Sequence, residues 1–393
     1  MEAKREPSAL EPDEIAEPKR MVAHAMSYQT ELHILVGSYS IPSPWAGMPT
    51  GHGAGISSRT STSTSTRRGL GVAWREDGPA HYEVNPSFLA QDGEQGRVWA
   101  LSEQEHSGEL LCFALDARRQ LITPATRTVS TQNAGPCHVE LHREVALVSH
   151  FHGGTVSVIP RDETGLPTEV TELIRTPAKG DGWNRSARAS HPHAAKFVPG
   201  SSSFVVADFG RDLVLLYEFR GAGSAAALVD VAVLEPDTGP RHLAWHAESG
   251  CFLVSNQTVG GVTVLRVTRD AQGEPTALEY LQTASGGGLR RASPVPSEIA
   301  IHPGGRHAVL ANRADNSLTV YGIAANGSLT ELCSVDSGGL NPRHFAISPD
   351  GALVIVAHQE SDELVVFEWR DGRPFEVSRA PLATPTSVLF TRG

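Results

Sequence analysis

The stretch "GPRHLAWHAESGCFLVSNQ", Gly239–Gln257, is echoed further along the chain by "NPRHFAISPDGALVIVAHQ", Asn341–Gln359. Both open on Pro-Arg-His and run into an alternating apolar stretch. Both bend at a Gly, return through a second apolar stretch and end in a polar pair, Asn256-Gln257 or His358-Gln359. Period-two alternation on either side of a Gly bend predicts a β-hairpin. A hairpin written twice predicts an internal repeat.

Further copies bear this out. They read "NPSFLA…RVWALSE…LLCFAL" from Asn85, "GPCHVELH…ALVSHFHGGTVSVIP" from Gly135, "HPHAAKFVPGSSSFVVADFGRDLVLLYEF" from His191 and "VPSEIAIHPGGRHAVLANRADNSLTVYGI" from Val295. The leading prolines stand at 86, 136, 192, 240, 296 and 342, at intervals of 46 to 56 residues. A seventh start, "TPTSVLF" with Pro385, ends the chain with one strand only. Its missing partners lie at the other terminus, in "HILVGSYS" from His33 and "LGVAWRE" from Leu70. A small antiparallel sheet cannot bury both faces alone, and radial packing of seven solves this. A β-sandwich or a six-bladed ring fits the regular motif less well. The expected fold is therefore all-β: a seven-bladed β-propeller closed by pairing the C-terminal strand with N-terminal strands. Residues 31–393 form that single domain. Residues 1–30, charged and rich in Pro, are expected to be a disordered tail.

The first two strands of each blade are antiparallel neighbours, so the start of one and the end of the next share an edge. Every Pro-Arg-His corner and every terminal polar pair then falls on one rim of the ring. Candidate site residues on it are Glu103, His138, His150, His193, Arg241, Gln257, Glu298, Arg313, Arg343 and His344. Arginines at three corners suit a carboxylate or phosphate, which guanidinium binds bidentately. His193 is a candidate acid or base because free imidazole titrates near neutrality. Asp208, Asp212, Asp315 and Asn316 read as turn residues. The Ser/Thr-rich stretch at about 41–68, including "GHGAGISSRTSTSTSTRRG", nearly lacks apolar residues. It is expected to be a flexible insert at the same rim.

Bulk composition excludes several classes. The chain has 393 residues, 33 Lys and Arg against 44 Asp and Glu, and a net charge of -11. Its basic residues form no run longer than a pair such as Arg67-Arg68. That argues against nucleic acid, whose binding needs phosphate neutralisation. No apolar stretch reaches the roughly 20 residues of a membrane helix. The N-terminus lacks the apolar core of a signal peptide. Cys112, Cys137, Cys251 and Cys333 form no CxxC motif, which fits buried thiols in the cytoplasm. His150 and His152 share a strand face but lack a third ligand, so no metal is expected. No phosphate-binding Gly-rich loop and no GxSxG elbow is present, and no cofactor is expected.

Taken together, "NPSFLA", "GPCHVELH", "SHPHAAKF", "VADFGRDLV", "GPRHLAWH", "SEIAIHPGGRHAVLANR" and "NPRHFAISPDGALVIVAHQ" resemble the seven-bladed propeller lactonase family. That family holds bacterial 6-phosphogluconolactonases and the fungal 3-carboxy-cis,cis-muconate cyclase. The resemblance spans roughly Glu31 to Phe390. It implies a catalytic His at His193 and arginines at Arg241 and Arg313. It also implies an acid where this chain has Gln257, an amide that cannot exchange a proton at neutral pH. Glu298 and Glu103 are the carboxylates that could take its place. The resemblance thus implies hydrolysis of an anionic sugar lactone, 6-phospho-glucono-δ-lactone above all. Water would attack with Glu298 or His193 as base. Arg241 and Arg313 would stabilise the oxyanion, and Arg343 and His344 would hold the anionic group. The alternatives are the lactone-forming reaction of the cyclase, or a propeller that binds without turnover. A closed ring offers no sheet edge to a partner, so a monomer is expected.

Overall fold

Each proline-led repeat folds as a four-stranded antiparallel sheet, and the described residues form seven such sheets. The computed structural model describes residues 29–43, 51–66, 69–78, 81–93, 95–177, 188–221, 223–286, 288–289 and 294–392. The tail expected over residues 1–30 lies outside the described residues, save Gln29 and Thr30, which open a strand. In the Pro240 blade the strands run outward as Pro240–His246, Cys251–Asn256, Val262–Arg269 and Pro275–Ala284. The second strand is buried throughout, whereas the outermost mixes buried with exposed positions. A strand flanked by neighbours on both edges and both faces must be apolar, and an outer strand needs only one apolar face.

Each innermost strand touches the innermost strand of the next blade, and the Pro385 strand touches the Pro86 strand, closing the ring. Apolar side chains fill the gaps between blades. Between the Pro192 and Pro240 blades, Val205, Ala207 and Leu216 pack on Phe252, Val254 and Leu265. Burying each such Val, Leu or Phe side chain stabilises by about 1.5–3 kcal/mol. Closure follows the expected scheme: Pro385–Phe390 pairs antiparallel with Gln29–Ser38, with Leu35 opposite Leu389 and Val36 opposite Val388.

The Ser/Thr-rich segment departs from its expectation as a flexible insert. Residues Ile56–Thr66 are the third strand of the closing blade, between Gln29–Ser38 and Gly69–Glu76. Thr60 and Ser61 are fully buried, and the Thr60 hydroxyl donates to Asp77. β-Branched threonine favours extended backbone, and hydroxyls can satisfy themselves inside a sheet. Polarity hid a strand that this alternation of Ser and Thr builds. Residues 44–50 and 67–68 of the same stretch lie outside the described residues.

A repeated irregularity shapes the channel. The innermost strand bulges one residue after its proline, as between Pro136 and His138, Pro342 and His344, and Pro385 and Ser387. A bulge adds an unpaired residue and re-aims its side chain. The residue before the proline has positive φ in six blades, including Gly135 at 58° and Gly239 at 62°. Val295 at 51° and Thr384 at 41° are β-branched and therefore strained there. Its carbonyl accepts the N–H of the residue just past the second strand, as in Gln257 to Gly239 at 2.8 Å and Arg313 to Val295 at 3.1 Å. The turn residues fasten this corner to the preceding blade. Asp212 and Asn316, both with positive φ, accept the N–H of Gly239 and Asn341 at 2.8 Å each.

Candidate active site

Two layers of side chains face the axis. The bulged residue supplies the upper layer and the residue after it the lower one. Cys137, His193, Arg241 and Arg343 occupy the bulge position of four blades. The residue past the second strand adds Glu103, Phe151, Gln257 and Arg313 from above, and His152 completes the wall. Together these line a cavity of about 130 Å³. A cavity of ~150 Å³ admits benzene, so a six-membered ring fits this scale.

Three guanidinium groups meet one carboxylate here. Arg241 is only 3% exposed, and its Nε and Nη1 have no hydrogen-bond partner among the described residues. The Nε of Arg313 is likewise unpartnered. Burial, reinforced by Arg343, lowers the Arg241 guanidinium to about 10. Burial also pulls Arg313 well below its usual range, with Arg241 and Arg343 adding to the effect. Arg343 lies over the Tyr39 ring at 5.2 Å and donates to the Tyr39 hydroxyl at 2.8 Å. That hydroxyl in turn donates to Glu103 Oε2 at 2.8 Å.

His193 stands on the wall as a neutral imidazole. Burial drives it well below the ordinary imidazole range, and Arg241 and His242 push the same way. Its Nδ1 lies 3.8 Å from Cys137 Sγ. Burial raises that thiol to about 12, so it stays protonated and is no nucleophile at neutral pH.

The lower layer packs against the cavity lining as its floor, with the His193 and His242 ring centroids 5.1 Å apart. Phe88, His138, His242 and His344 pack edge-on or tilted, with Phe88–His138 centroids at 4.6 Å and His138–His242 at 5.5 Å. Glu298 Oε2 accepts from His242 Nδ1 at 2.8 Å and from His344 Nε2 at 3.2 Å. The Val388 N–H donates to His344 Nδ1 at 3.2 Å, which fixes the His344 tautomer.

Of the residues singled out in the sequence, Glu103, His193, Arg241, Gln257, Arg313 and Arg343 come together in one cavity. His138, Glu298 and His344 lie beneath it, in the floor. His150 lies elsewhere: it is fully buried and bonds Ser157 Oγ at 2.9 Å. The period of two explains the difference, because successive side chains point to opposite sides: His150 lies on the sheet face that carries Ser157, and the next residue turns to the channel. Thus Phe151, not His150, reaches the cavity. Asp208 plays the same inward part, accepting from Thr176, Ser190 and the His191 N–H. Tyr39 escaped notice because it sits in the split blade. Its signal was its register: it follows a second strand as Gln257 and Arg313 do.

A profile of the family described as "Lactonase, 7-bladed beta-propeller" matches residues 34–390. The chain belongs to this lactonase family. Among its relatives is a 6-phosphogluconolactonase of Bacillus subtilis, 25% identical over 298 residues, which cover 72% of this chain and 80% of that protein. Another, also named 6-phosphogluconolactonase, is from Formosa agariphila and is 23% identical over 76% of this chain and 85% of that one. In three dimensions the lactonase-family chain is similar to a periplasmic gluconolactonase of Pseudomonas aeruginosa. The TM-score is 0.76, at 22% identity, covering 92% of this chain and 99% of that one. That last likeness is one of fold.

Proposed function

We propose that this enzyme hydrolyses a sugar lactone bearing an anionic group, with 6-phospho-glucono-δ-lactone, opened to 6-phosphogluconate, as the leading substrate. The observation that carries the reading is the convergence of Arg241, Arg313 and Arg343 on a cavity lined by one acid, Glu103. A buried guanidinium without a partner is destabilising. Its presence makes sense where a ligand brings the counter-charge, and a phosphate or a developing oxyanion does so. Relatives named 6-phosphogluconolactonase support the same substrate class.

In this scheme water attacks the lactone carbonyl while Glu103 takes its proton. Arg241 and Arg313 stabilise the oxyanion. Arg343 holds the anionic substituent. The ring C–O bond then breaks, and the proton passes to the departing ring oxygen, which leaves as a hydroxyl. One water is consumed, and the carboxylic acid formed ionises to a carboxylate, releasing the water's second proton to solvent. Neutral His193 offers a hydrogen bond on the cavity wall. Glu298 serves the floor, because its Oε2 is engaged by two imidazoles. Gln257 orients substrate through its amide. The proposed setting is a cytoplasmic monomer, in keeping with four free cysteines.

The test is the rate of 6-phospho-glucono-δ-lactone hydrolysis near neutral pH, with and without purified protein, followed by acid release in a pH-stat. Acceleration that inorganic phosphate inhibits competitively supports the reading. A folded sample that leaves the spontaneous rate unchanged ends it.

A further inference from the structure

We infer that Tyr39 is a positioning residue that couples Glu103 to Arg343 and leaves one chosen carboxylate oxygen free for the reaction. The inference rests on the hydrolase reading above and extends it to a residue outside the arginine and acid set.

The direction of the hydrogen bonds is forced. Arginine only donates, so the Tyr39 oxygen accepts from Arg343. A phenol has one proton to give, and it goes to Glu103 Oε2. Oε2 is thereby engaged, and Oε1, which has no hydrogen-bond partner among the described residues, is the oxygen left to take the proton of water. Tyr39 is fully buried, and burial raises its phenol well above the ordinary range, so the proton stays on the tyrosine. The ring itself lies against the Arg343 guanidinium and limits its travel. Base and anion-holding cation are thus one unit, hinged on a single hydroxyl.

The backbone anchors this hinge to ring closure. The Tyr39 N–H donates to Thr384 O at 3.1 Å, and the Thr384 hydroxyl donates to Tyr39 O at 2.6 Å. The Gly53 N–H also donates to Tyr39 O, at 2.8 Å. Tyr39 therefore takes its place only when the N-terminal strand has paired with the C-terminal one. Two strands far apart in sequence thus complete the site in space.

Tyr39→Phe keeps the ring over Arg343 and removes both hydroxyl bonds. The expected result is a kcat at least tenfold lower, with KM changed less than threefold. The acid limb of the kcat/KM profile should move to higher pH, because a donor that favoured the carboxylate is gone. Tyr39→Phe combined with Glu103→Gln should be no slower than Glu103→Gln alone. A kcat within twofold of wild type, or losses that multiply in the double variant, would overturn the inference. Should the Phe variant fail to fold by thermal unfolding, Arg343→Gln probes the same bridge and should move the same pH limb. An unmoved limb counts against the inference. Calorimetric binding of 6-phosphogluconate keeps the two proposals apart. If wild type binds it but does not turn over lactone, the hydrolase reading falls. Tyr39 is then judged on binding: coupled losses in Tyr39→Phe and Arg343→Gln sustain it, and independent losses sink it.

Discussion

Replacing Arg241 by Met should make the protein more stable and far less active. Arg241 is 3% exposed, with two nitrogens unpartnered. Burial lowers its guanidinium from the ordinary arginine range to about 10. A group that stays charged at pH 7 with its pKa depressed in the fold destabilises the fold. The penalty is fully present below the folded pKa and is relieved as pH rises above it. At 1.36 kcal/mol per unit, the shift corresponds to roughly 3 kcal/mol at neutral pH. Methionine has similar length and no charge, so it should recover most of that amount. For a chain of this length the gain is about 4 °C in Tm, taking an unfolding entropy near 2.1 cal/mol/K per residue. Loss of one preorganised donor to an oxyanion typically lowers kcat by ~10²–10³. Thermal unfolding and lactone hydrolysis on the same sample test both halves. A Met variant that is less stable than wild type yet retains full turnover would refute the idea that Arg241 is held for the ligand rather than for the fold.

Acid should weaken the fold through its buried histidines. Burial lowers His150 and His358 to about 4, so the unfolded chain binds more protons between pH 6.5 and 4 and stability falls as pH drops through that window. Urea unfolding at pH 7 and pH 5 should show a loss of about 2 kcal/mol per residue of this kind, and a flat profile would contradict their burial as neutral rings. Glu103→Gln should reduce kcat about a hundredfold if it is the base, whereas Glu298→Gln should cost mainly stability by unseating His242 and His344; kinetics and melting curves of the pair decide which carboxylate reacts. Gln257→Glu adds a negative charge to the proposed anion site and should raise KM for a phosphorylated lactone about tenfold, an effect that a neutral lactone should not show. An equal KM change for both lactones would refute a charge effect of this position on the phosphate.

Much of this protein was legible in its sequence, for a physical reason. Repeated hairpins carry their information locally, in alternation, Gly bends and a proline at fixed phase. The same local signals imply a ring whose first and last strands pair. They also place Glu103, His193, Arg241, Gln257, Arg313 and Arg343 on one rim, because equivalent positions of equivalent blades share an edge. What local pattern could not carry was the direction in which a side chain points near a bulge. His150 and Phe151 differ by one position, and only the register settles which of them sees the channel. Glu298 and Arg241 differ in the same way, one turned to the floor and the other to the cavity. The polar strand Ile56–Thr66 looked like a loop because burial of hydroxyls depends on neighbours supplied from elsewhere in the chain. Tyr39 shows this dependence most fully. Its role arises from Glu103 and Arg343, brought to it by ring closure, and no stretch of sequence holds all three.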